Sequence, residues 1–145
     1  MIQTASIEQD EKPWTLQPDV EPALRPRARV LLVDDEADML TVLGRWLSPH
    51  YETVALRDGR RLLETALEFG PHLIILDLSM PDADGYSLCE RLREVGRLRS
   101  VPVLFVTGRA ADTDFLRHLD CGGNGYLQKP VEREELLRHV RALLA

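Results

Sequence analysis

Five polar residues of this sequence have the types and positions expected of a site that handles metal ions or phosphate. They follow short apolar runs, and they are Asp34, Asp35, Asp77, Thr107 and Lys129. Each one alone has an ordinary explanation, because Asp and Thr cap helices and turns and a Lys is usually solvated. The combination of three carboxylates, one hydroxyl and one cation after successive apolar runs favours a single shared site.

The three carboxylates of this set need a cation. Asp34, Asp35 and Asp77 would repel one another in one pocket, and burying them without compensation would cost several kcal/mol. Oxygen ligands without His or Cys favour a hard divalent ion, and a few carboxylates completed by water and phosphate are typical of Mg²⁺ rather than of a Ca²⁺ cage. An EF-hand is excluded because its first and twelfth ligand positions would be Met80 and Arg91. We therefore predict a Mg²⁺ site.

The chemistry that these residues support is phosphoryl transfer. A carboxylate beside Mg²⁺ can act as a nucleophile and form an acyl phosphate, while the metal, a Lys and a hydroxyl neutralise charge on the transferred oxygens. The sequence contains no G-x-x-x-x-G-K-[ST] phosphate loop and no G-x-S-x-G elbow, and its four His residues are scattered. An ATPase or a serine hydrolase is therefore disfavoured.

Strand-length apolar runs alternate with segments of helical periodicity from Arg29 onward, which is typical of an α/β fold. The predicted strands are Arg29 to Val33, Glu52 to Leu56, Leu73 to Leu76, Val103 to Val106 and Gly125 to Leu127. Continuous apolar runs such as LIIL suit parallel strands that are buried on both faces. We predict a doubly wound five-stranded parallel sheet flanked by five helices, with the functional groups beyond the carboxyl ends of the strands.

The helices are predicted from apolar residues that recur at helical spacing. In the first helix these residues are Met39, Val42, Leu43, Trp46 and Leu47. The second, third and fifth helices are marked by Leu62, Leu63, Ala66 and Leu67, by Leu88, Leu92 and Val95, and by Leu136, Leu137, Val140, Leu143 and Leu144. The fourth helix, over residues 111 to 119, has the weakest pattern.

The length of 145 residues favours one domain. Prolines interrupt residues 1 to 28, which predicts a flexible N-terminal tail before a domain over residues 29 to 145. Trp14 and Leu16 are isolated apolar residues within this tail. They belong either to an extension without function or to a short docking segment for a partner or for the domain itself.

The charge and the apolar runs limit the partners and the location. The formal net charge is −6, from 18 Lys+Arg and 24 Asp+Glu, which disfavours direct nucleic-acid binding. The longest apolar run has strand length, and the N-terminus lacks the order of a signal peptide, so we predict a cytoplasmic protein without a membrane span. Cys89 and Cys121 form no C-x-x-C motif and are predicted to be buried thiols.

Four stretches of the sequence resemble, in order and spacing, the receiver domain of two-component response regulators. They are VLLVDDEADML, LIILDLSMPDADGYSLCERLR, VLFVTGR and GYLQKP, and the resemblance covers residues 29 to 145. It implies a flavodoxin-like fold of the receiver type with the strand order 2-1-3-4-5.

The resemblance also implies roles for individual residues. Asp77 would be the phosphoacceptor, taking a phosphoryl group from a phosphohistidine of a sensor histidine kinase or a histidine phosphotransfer protein. Mg²⁺ would be held by Asp34, Asp35, Asp77 and the main-chain carbonyl of Ser79. Lys129 would pair with the Asp77 carboxylate and then with its phosphate.

The remaining implied roles concern switching and dephosphorylation. Thr107 resembles the switch hydroxyl that moves onto the phosphate, and Tyr126 resembles the aromatic side chain that reports this movement. Ser79 and Arg109 would tune dephosphorylation. Phosphorylation adds about −1.5 to −2 charge, so the polar groups around it must respond by moving. The expected output surface is the face formed by the fourth helix, fifth strand and fifth helix.

The sequence departs from the family pattern at two places after Thr107. Many members have an acidic pair before the aromatic residue, where this chain reads Gly122-Gly123-Asn124-Gly125-Tyr126. The charged dimer contacts of one DNA-binding subgroup are therefore not supported, and a homodimer is left open. The usual Phe after Lys-Pro is Val131 here. The Lys129-Pro130 peptide bond is often cis in such domains.

We predict a phosphorelay receiver that catalyses its own phosphorylation and autodephosphorylation and signals through protein contacts, as a switch rather than a turnover enzyme. One alternative is a pseudo-receiver scaffold that works without phosphorylation. Another is a haloacid-dehalogenase-like phosphatase, although that family has a second Asp two residues after the nucleophile, where this chain has Ser79. A third is a receiver fragment of a longer regulator whose output domain is missing, which the gene sequence downstream of Ala145 tests.

Overall fold

The computed structural model describes residues 26–81, 83–108 and 121–145. Strands and helices alternate along these residues in the order β1 (Arg29–Val33), α1 (Ala37–Leu47), β2 (Glu52–Leu56), α2 (Leu62–Phe69), β3 (Leu73–Leu76), α3 (Gly85–Glu94), β4 (Val103–Thr107), β5 (Gly125–Gln128) and α4 (Arg133–Leu144). The helix predicted over 111 to 119, most of the predicted tail and Arg109 lie outside the described residues. Among the described residues, no helix combines the length and the apolar character needed to cross a membrane.

The five strands form one parallel sheet in the order β2-β1-β3-β4-β5. Strand β1 lies between β2 and β3, since Leu31 pairs with Val54 on one side and with Ile74 on the other. The chain therefore reverses its winding direction between β1 and β3, as in other doubly wound sheets. The predicted sheet is confirmed, with β4 and β5 each one residue longer, ending at Thr107 and Gln128.

Each face of the sheet has its own core, because successive strand residues point to opposite faces. Helices α1 and α4 cover one face, where the buried residues include Val30, Leu32, Leu43, Leu136 and Val140. Helices α2 and α3 cover the other face, where they include Leu31, Val33, Leu62, Ala66, Leu88 and Leu92. Burial on both faces explains the continuous apolar runs of the three central strands β1, β3 and β4, whereas the edge strands β2 and β5 are only partly buried.

The buried stripe of α1 differs from the one predicted. Leu40, Leu43 and Leu47 are buried, whereas Val42 is 37% exposed. Successive helix residues are about 100° apart, so Val42 lies on the flank of the helix and not against the sheet. The prediction that Val42 belongs to the buried face is wrong, and the same prediction for Leu67 of α2, which is 36% exposed, is also wrong.

A hydrogen-bonded network holds the segment before β5. The Arg93 guanidinium donates to the carbonyls of Gly122 and Val101 at 2.7 Å and to Asn124 Oδ1 at 2.8 Å. Asn124 Oδ1 also accepts from the Val103 backbone N–H at 2.9 Å. The segment in which this chain departs from the family pattern is therefore held by Arg93 and an amide side chain.

Candidate functional site

Main-chain hydrogen bonds at the strand ends bring the predicted site residues to one edge of the sheet. The Asp77 N–H donates to the Val33 carbonyl at 2.9 Å, and the Lys129 N–H donates to the Thr107 carbonyl at 2.7 Å. These bonds continue the pairing of β3 with β1 and of β5 with β4. Asp34, Asp77 and Thr107 are the buried polar residues among those described, with exposures of 2%, 3% and 0%.

The three carboxylates form the cluster that the sequence predicts. One oxygen each of Asp34, Asp35 and Asp77 lies within 4.8 Å of the other two. The backbone N–H groups of Glu36 and Ser79 donate to Asp34 Oδ1 at 2.9 Å and to Asp77 Oδ1 at 3.1 Å, which orients these two carboxylates. Three convergent oxygen ligands, two of them buried, fit a hard divalent ion such as Mg²⁺.

The Asp77 carboxyl has a strongly perturbed pKa. Burial raises it, and the Asp34 and Asp35 charges add to the rise, while the hydrogen bond from Ser79 and the Lys129 charge oppose it. The resulting pKa is about 6, compared with an ordinary value of 3.8. Perturbed carboxyl groups of this kind cluster at functional sites.

The raised pKa predicts a stability effect of Asp77→Asn in the metal-free protein. Below pH 3.8 the carboxyl is protonated in the folded and the unfolded chain and costs nothing, whereas above about pH 6 the folded protein must ionise it. The rise in pKa corresponds to about 3 kcal/mol. We expect Asp77→Asn to raise the free energy of unfolding by about 2 to 3 kcal/mol at pH 8 and to have little effect at pH 4.

Urea unfolding in EDTA at both pH values measures this effect. Asp38→Asn, on the exposed side of α1, is the control and should change little at either pH. Added Mg²⁺ should stabilise the wild type and reduce the difference. If Asp77→Asn raised the free energy of unfolding equally at pH 4 and pH 8, burial of the Asp77 charge would not be the cause of the increase.

The Lys129 ammonium lies beside the carboxylate cluster, and it is closer to Glu36 and Asp34 than to Asp77. Its Nζ lies 3.0 Å from Asp34 Oδ2, 2.8 Å from Glu36 Oε1 and 3.8 Å from Asp77 Oδ2. Burial lowers the pKa of Lys129, but the hydrogen bonds to Glu36 and Asp34 and the Asp77 charge outweigh it and raise the pKa. The hydrogen bond from Lys129 lowers the pKa of the Glu36 carboxyl. Glu36 was not among the predicted site residues, although an acidic residue directly after Asp34-Asp35 is a signal in the sequence.

The hydroxyl groups of Ser79 and Thr107 lie 3.2 Å apart and hydrogen bond to each other. Tyr126 is half-buried on β5 and packs against the core beneath α2 and α3. The Lys129-Pro130 peptide bond is cis. The structure thus brings Ser79 and Thr107 into contact, which the sequence analysis did not predict, while Arg109 lies outside the described residues.

Gly85 was also not predicted to matter, and it borders the site from α3. A Cβ atom at this position would lie 2.8 Å from the Asp77 carbonyl oxygen and 2.9 Å from Leu78 Cα. Helix α3 therefore approaches the backbone that follows Asp77 more closely than any side chain would allow. Asp84 caps this helix by accepting from the Tyr86 N–H at 3.1 Å.

The sequence model of the response regulator receiver domain matches residues 30–141. The chain belongs to this family. The match to the receiver family and the cluster of Asp34, Asp35 and Asp77 disfavour two of the alternatives, the haloacid-dehalogenase-like phosphatase and the pseudo-receiver.

The receiver domain is similar to parts of larger proteins. It is 36% identical over 117 residues to the DNA-binding dual master transcriptional regulator RpaA of Synechocystis sp., covering 80% of this chain and 48% of RpaA. It is 38% identical over 117 residues to response regulator MprA of Mycolicibacterium vanbaalenii, covering 80% of this chain and 50% of MprA. The chain thus spans about half the length of these curated relatives.

A solved structure of a single receiver fold is also similar. The chemotaxis protein CheY4 of Vibrio cholerae superposes with a TM-score of 0.78 at 28% sequence identity, covering 81% of this chain and 99% of CheY4. The described fold is therefore that of a flavodoxin-like receiver.

Proposed function

We propose that this receiver accepts a phosphoryl group on Asp77 from a phosphohistidine of a sensor histidine kinase or a histidine phosphotransfer protein. The observation that carries the proposal is the buried Asp77 carboxylate, which lies within 4.8 Å of two further carboxylates and 3.8 Å from the Lys129 ammonium. An acidic pocket of this kind needs a cation, and a phosphoryl group arriving there needs positive charge around it.

Asp34, Asp35 and Asp77 would hold Mg²⁺, with the main-chain carbonyl of Ser79 as a proposed further ligand. The bound ion would supply positive charge against the transferred phosphoryl oxygens. In the transfer step, a carboxylate oxygen of Asp77 attacks the phosphorus atom. The P–N bond to the donor imidazole breaks, its electron pair leaves with the imidazole, and an acyl phosphate forms on Asp77. The carboxylate must be ionised to attack, which its pKa of about 6 permits at neutral pH.

Lys129 and Thr107 provide the proposed response to this new charge. The Lys129 ammonium is already within 3.8 Å of Asp77 and can move onto a phosphoryl oxygen. The Thr107 hydroxyl bonds to Ser79 in this structure and would exchange that bond for one to the phosphate. Because Thr107 and Lys129 follow β4 and β5, their movement would reach Tyr126 and the proposed output face.

Loss of the phosphoryl group would occur by attack of water on phosphorus, catalysed by the same site. The P–O bond to Asp77 breaks, its electron pair returns to the Asp77 carboxylate, and inorganic phosphate leaves with the protons of the water. Ser79 borders Asp77 directly through its backbone N–H and is placed to affect the path of this water. The proposed tuning role of Arg109 concerns a residue outside those described.

The partners and location follow from the proposal only in part. A histidine-containing phosphodonor is the expected upstream partner, and a protein target at the output face is the expected downstream partner. RpaA is named as a DNA-binding regulator, so the absence of direct nucleic-acid binding stays a prediction for this chain. The cytoplasmic location also stays a prediction, and the homodimer stays open.

Incubation with acetyl phosphate and Mg²⁺ tests the proposed function. Intact-mass spectrometry should show one added phosphoryl group, which hydroxylamine removes because acyl phosphates react with this nucleophile. EDTA should prevent the modification. A wild-type protein that stays unmodified, while a second receiver is phosphorylated under the same conditions, would contradict the proposal.

Replacing Glu36 should have a smaller effect, on the affinity of the site for a phosphoryl group. It holds the Lys129 ammonium at 2.8 Å in the unphosphorylated protein and places another negative charge near the phosphoryl position. We expect Glu36→Gln to increase the affinity for beryllofluoride, a phosphoryl mimic, by about two- to fivefold. The control Asp38→Asn removes an acidic residue of the same helix that makes no ion pair with Lys129 among the described contacts. Weaker binding by Glu36→Gln would show that Glu36 instead holds Lys129 in a productive position.

A further inference from the structure

An apolar groove runs along the flank of α1, where Met39, Trp46 and Val131 are partly buried against the core and Val42 is exposed. Its volume is about 250 Å³, and Met39, Val42, Trp46 and Val131 line it. Glu36 lies at its end, so the groove borders the edge of the site where Glu36 binds Lys129.

The groove contains one of the two exposed large hydrophobic residues among those described. Val42 is 37% exposed, and Leu67 on the opposite side of the sheet is 36% exposed. Val42 is flanked by the half-buried side chains of Met39 and Trp46, which makes a continuous apolar surface on one helix. Leu67 does not line this groove. Clustered apolar surface favours an interaction site more than a single exposed apolar residue does.

The N-terminal segment, residues 1–25, joins the described chain beside this helix. The Arg27 guanidinium donates to the Ser48 carbonyl at 2.9 Å, directly after the end of α1, and Ala28 is buried. Helix α1 has 11 residues and is therefore about 16 Å long. Ten residues of extended chain span about 33 Å. Trp14 therefore reaches every part of the groove from this attachment point.

The segment has the chemistry to fill the groove. Trp14 is its one aromatic residue, and Leu16 follows two positions later. Pro13 and Pro18 bracket this pair and favour extended backbone over helix. In extended backbone, residues two positions apart point to the same side, so Trp14 and Leu16 can enter one groove together.

We propose that residues 1–25 cover this groove, with Trp14 and Leu16 against Met39, Val42 and Trp46. The segment then occupies the flank of α1 beside the site and competes with any protein that approaches the site along this helix. The contact is intramolecular, because the attachment at Arg27 keeps the segment next to the groove at high effective concentration. It does not depend on phosphorylation of Asp77.

The sequence provides a direct readout, because its two Trp residues are Trp14 and Trp46. Full-length protein labelled with 5-fluorotryptophan gives two ¹⁹F resonances, assigned with Trp14→Phe and Trp46→Phe. We expect Trp14→Ala to shift the Trp46 resonance, whereas Gln17→Ala, within the same segment, leaves it unchanged. We expect Val42→Glu to move the Trp14 resonance to its position in urea. The matched control Leu67→Glu places the same charge at an equally exposed position and should leave Trp14 unchanged.

The outcomes separate the occupants of the groove. A Trp46 resonance that does not respond to Trp14→Ala would overturn the proposal, with circular dichroism as the check that the variant is folded. Shifts that depend on protein concentration would show that a second copy fills the groove and would also overturn it. Equal effects of Val42→Glu and Leu67→Glu would show that charge, and not the groove, moves Trp14.

Discussion

Asp77→Asn should not be phosphorylated: we expect the rate of acetyl phosphate-dependent modification to fall by at least about 100-fold. The asparagine amide has nearly the shape of the carboxylate but carries no charge and is a poor nucleophile. The variant should fold, because removing a buried charge from a pocket with two other carboxylates stabilises the protein. A loss of modification then reports chemistry at Asp77 and not unfolding.

The measurement is intact-mass spectrometry over a time course with Mg²⁺, with circular dichroism as the check on folding. Asp38→Asn is the matched control, since it makes the same exchange on exposed α1 and should be modified at the wild-type rate. Phosphorylation of Asp77→Asn at the wild-type rate would place the acceptor on another residue. It would leave the family membership untouched but would overturn the proposed role of Asp77.

Asp35→Asn should weaken Mg²⁺ binding by at least about tenfold, which corresponds to about 1.4 kcal/mol. Among the three carboxylates, Asp35 is the least buried, and the structure shows Asp34 and Asp77 in hydrogen bonds to the backbone or to Lys129. Changing Asp35 therefore removes one charge and one hard oxygen ligand with the least disturbance of the other two. Isothermal titration calorimetry with MgCl₂ measures the affinity directly.

Asp35→Asn should also raise the Mg²⁺ concentration needed for half-maximal phosphorylation, by about the same factor as it weakens Mg²⁺ binding. Asp38→Asn again serves as the control for general loss of negative charge near the site. Unchanged affinity in Asp35→Asn would remove Asp35 from the metal site. Equal losses in Asp35→Asn and Asp38→Asn would show that the effect is long-range electrostatics, which high salt would then suppress.

The five strands could be predicted from the sequence because each is short, apolar and followed by a polar residue. The site could be predicted because parallel strands bring the residues at their carboxyl ends to one edge, whichever side chains cover the faces. Asp34, Asp77 and Thr107 are therefore close in space although they are far apart in the chain. The raised pKa of Asp77 results mainly from burial at the end of an apolar strand, and the Asp34 and Asp35 charges add to it.

Contacts that depend on helix rotation and on long side chains could not be predicted in this way. The apolar residues of α1 cover a wide part of the helix surface, so their spacing does not show which of them face the sheet. Packing against β1 and β2 buries Leu40, Leu43 and Leu47 and leaves Val42 exposed. The Lys129 ammonium has several carboxylates within reach, and the position of its flexible chain decides that Glu36 is the nearest partner at 2.8 Å. The close approach of Gly85 to Asp77 likewise results from how α3 packs on β3.

The family, the fold class and the edge of the sheet where the candidate site lies could all be predicted from the sequence alone. Those follow from local patterns, because a strand, its terminal residue and the next helix are neighbours in the chain. The tertiary structure was needed to show which carboxylate lies nearest the Lys129 ammonium and which flank of α1 the other described residues leave exposed beside the site. Both depend on the relative positions of elements that are distant in the chain, and those positions follow from packing over the whole domain.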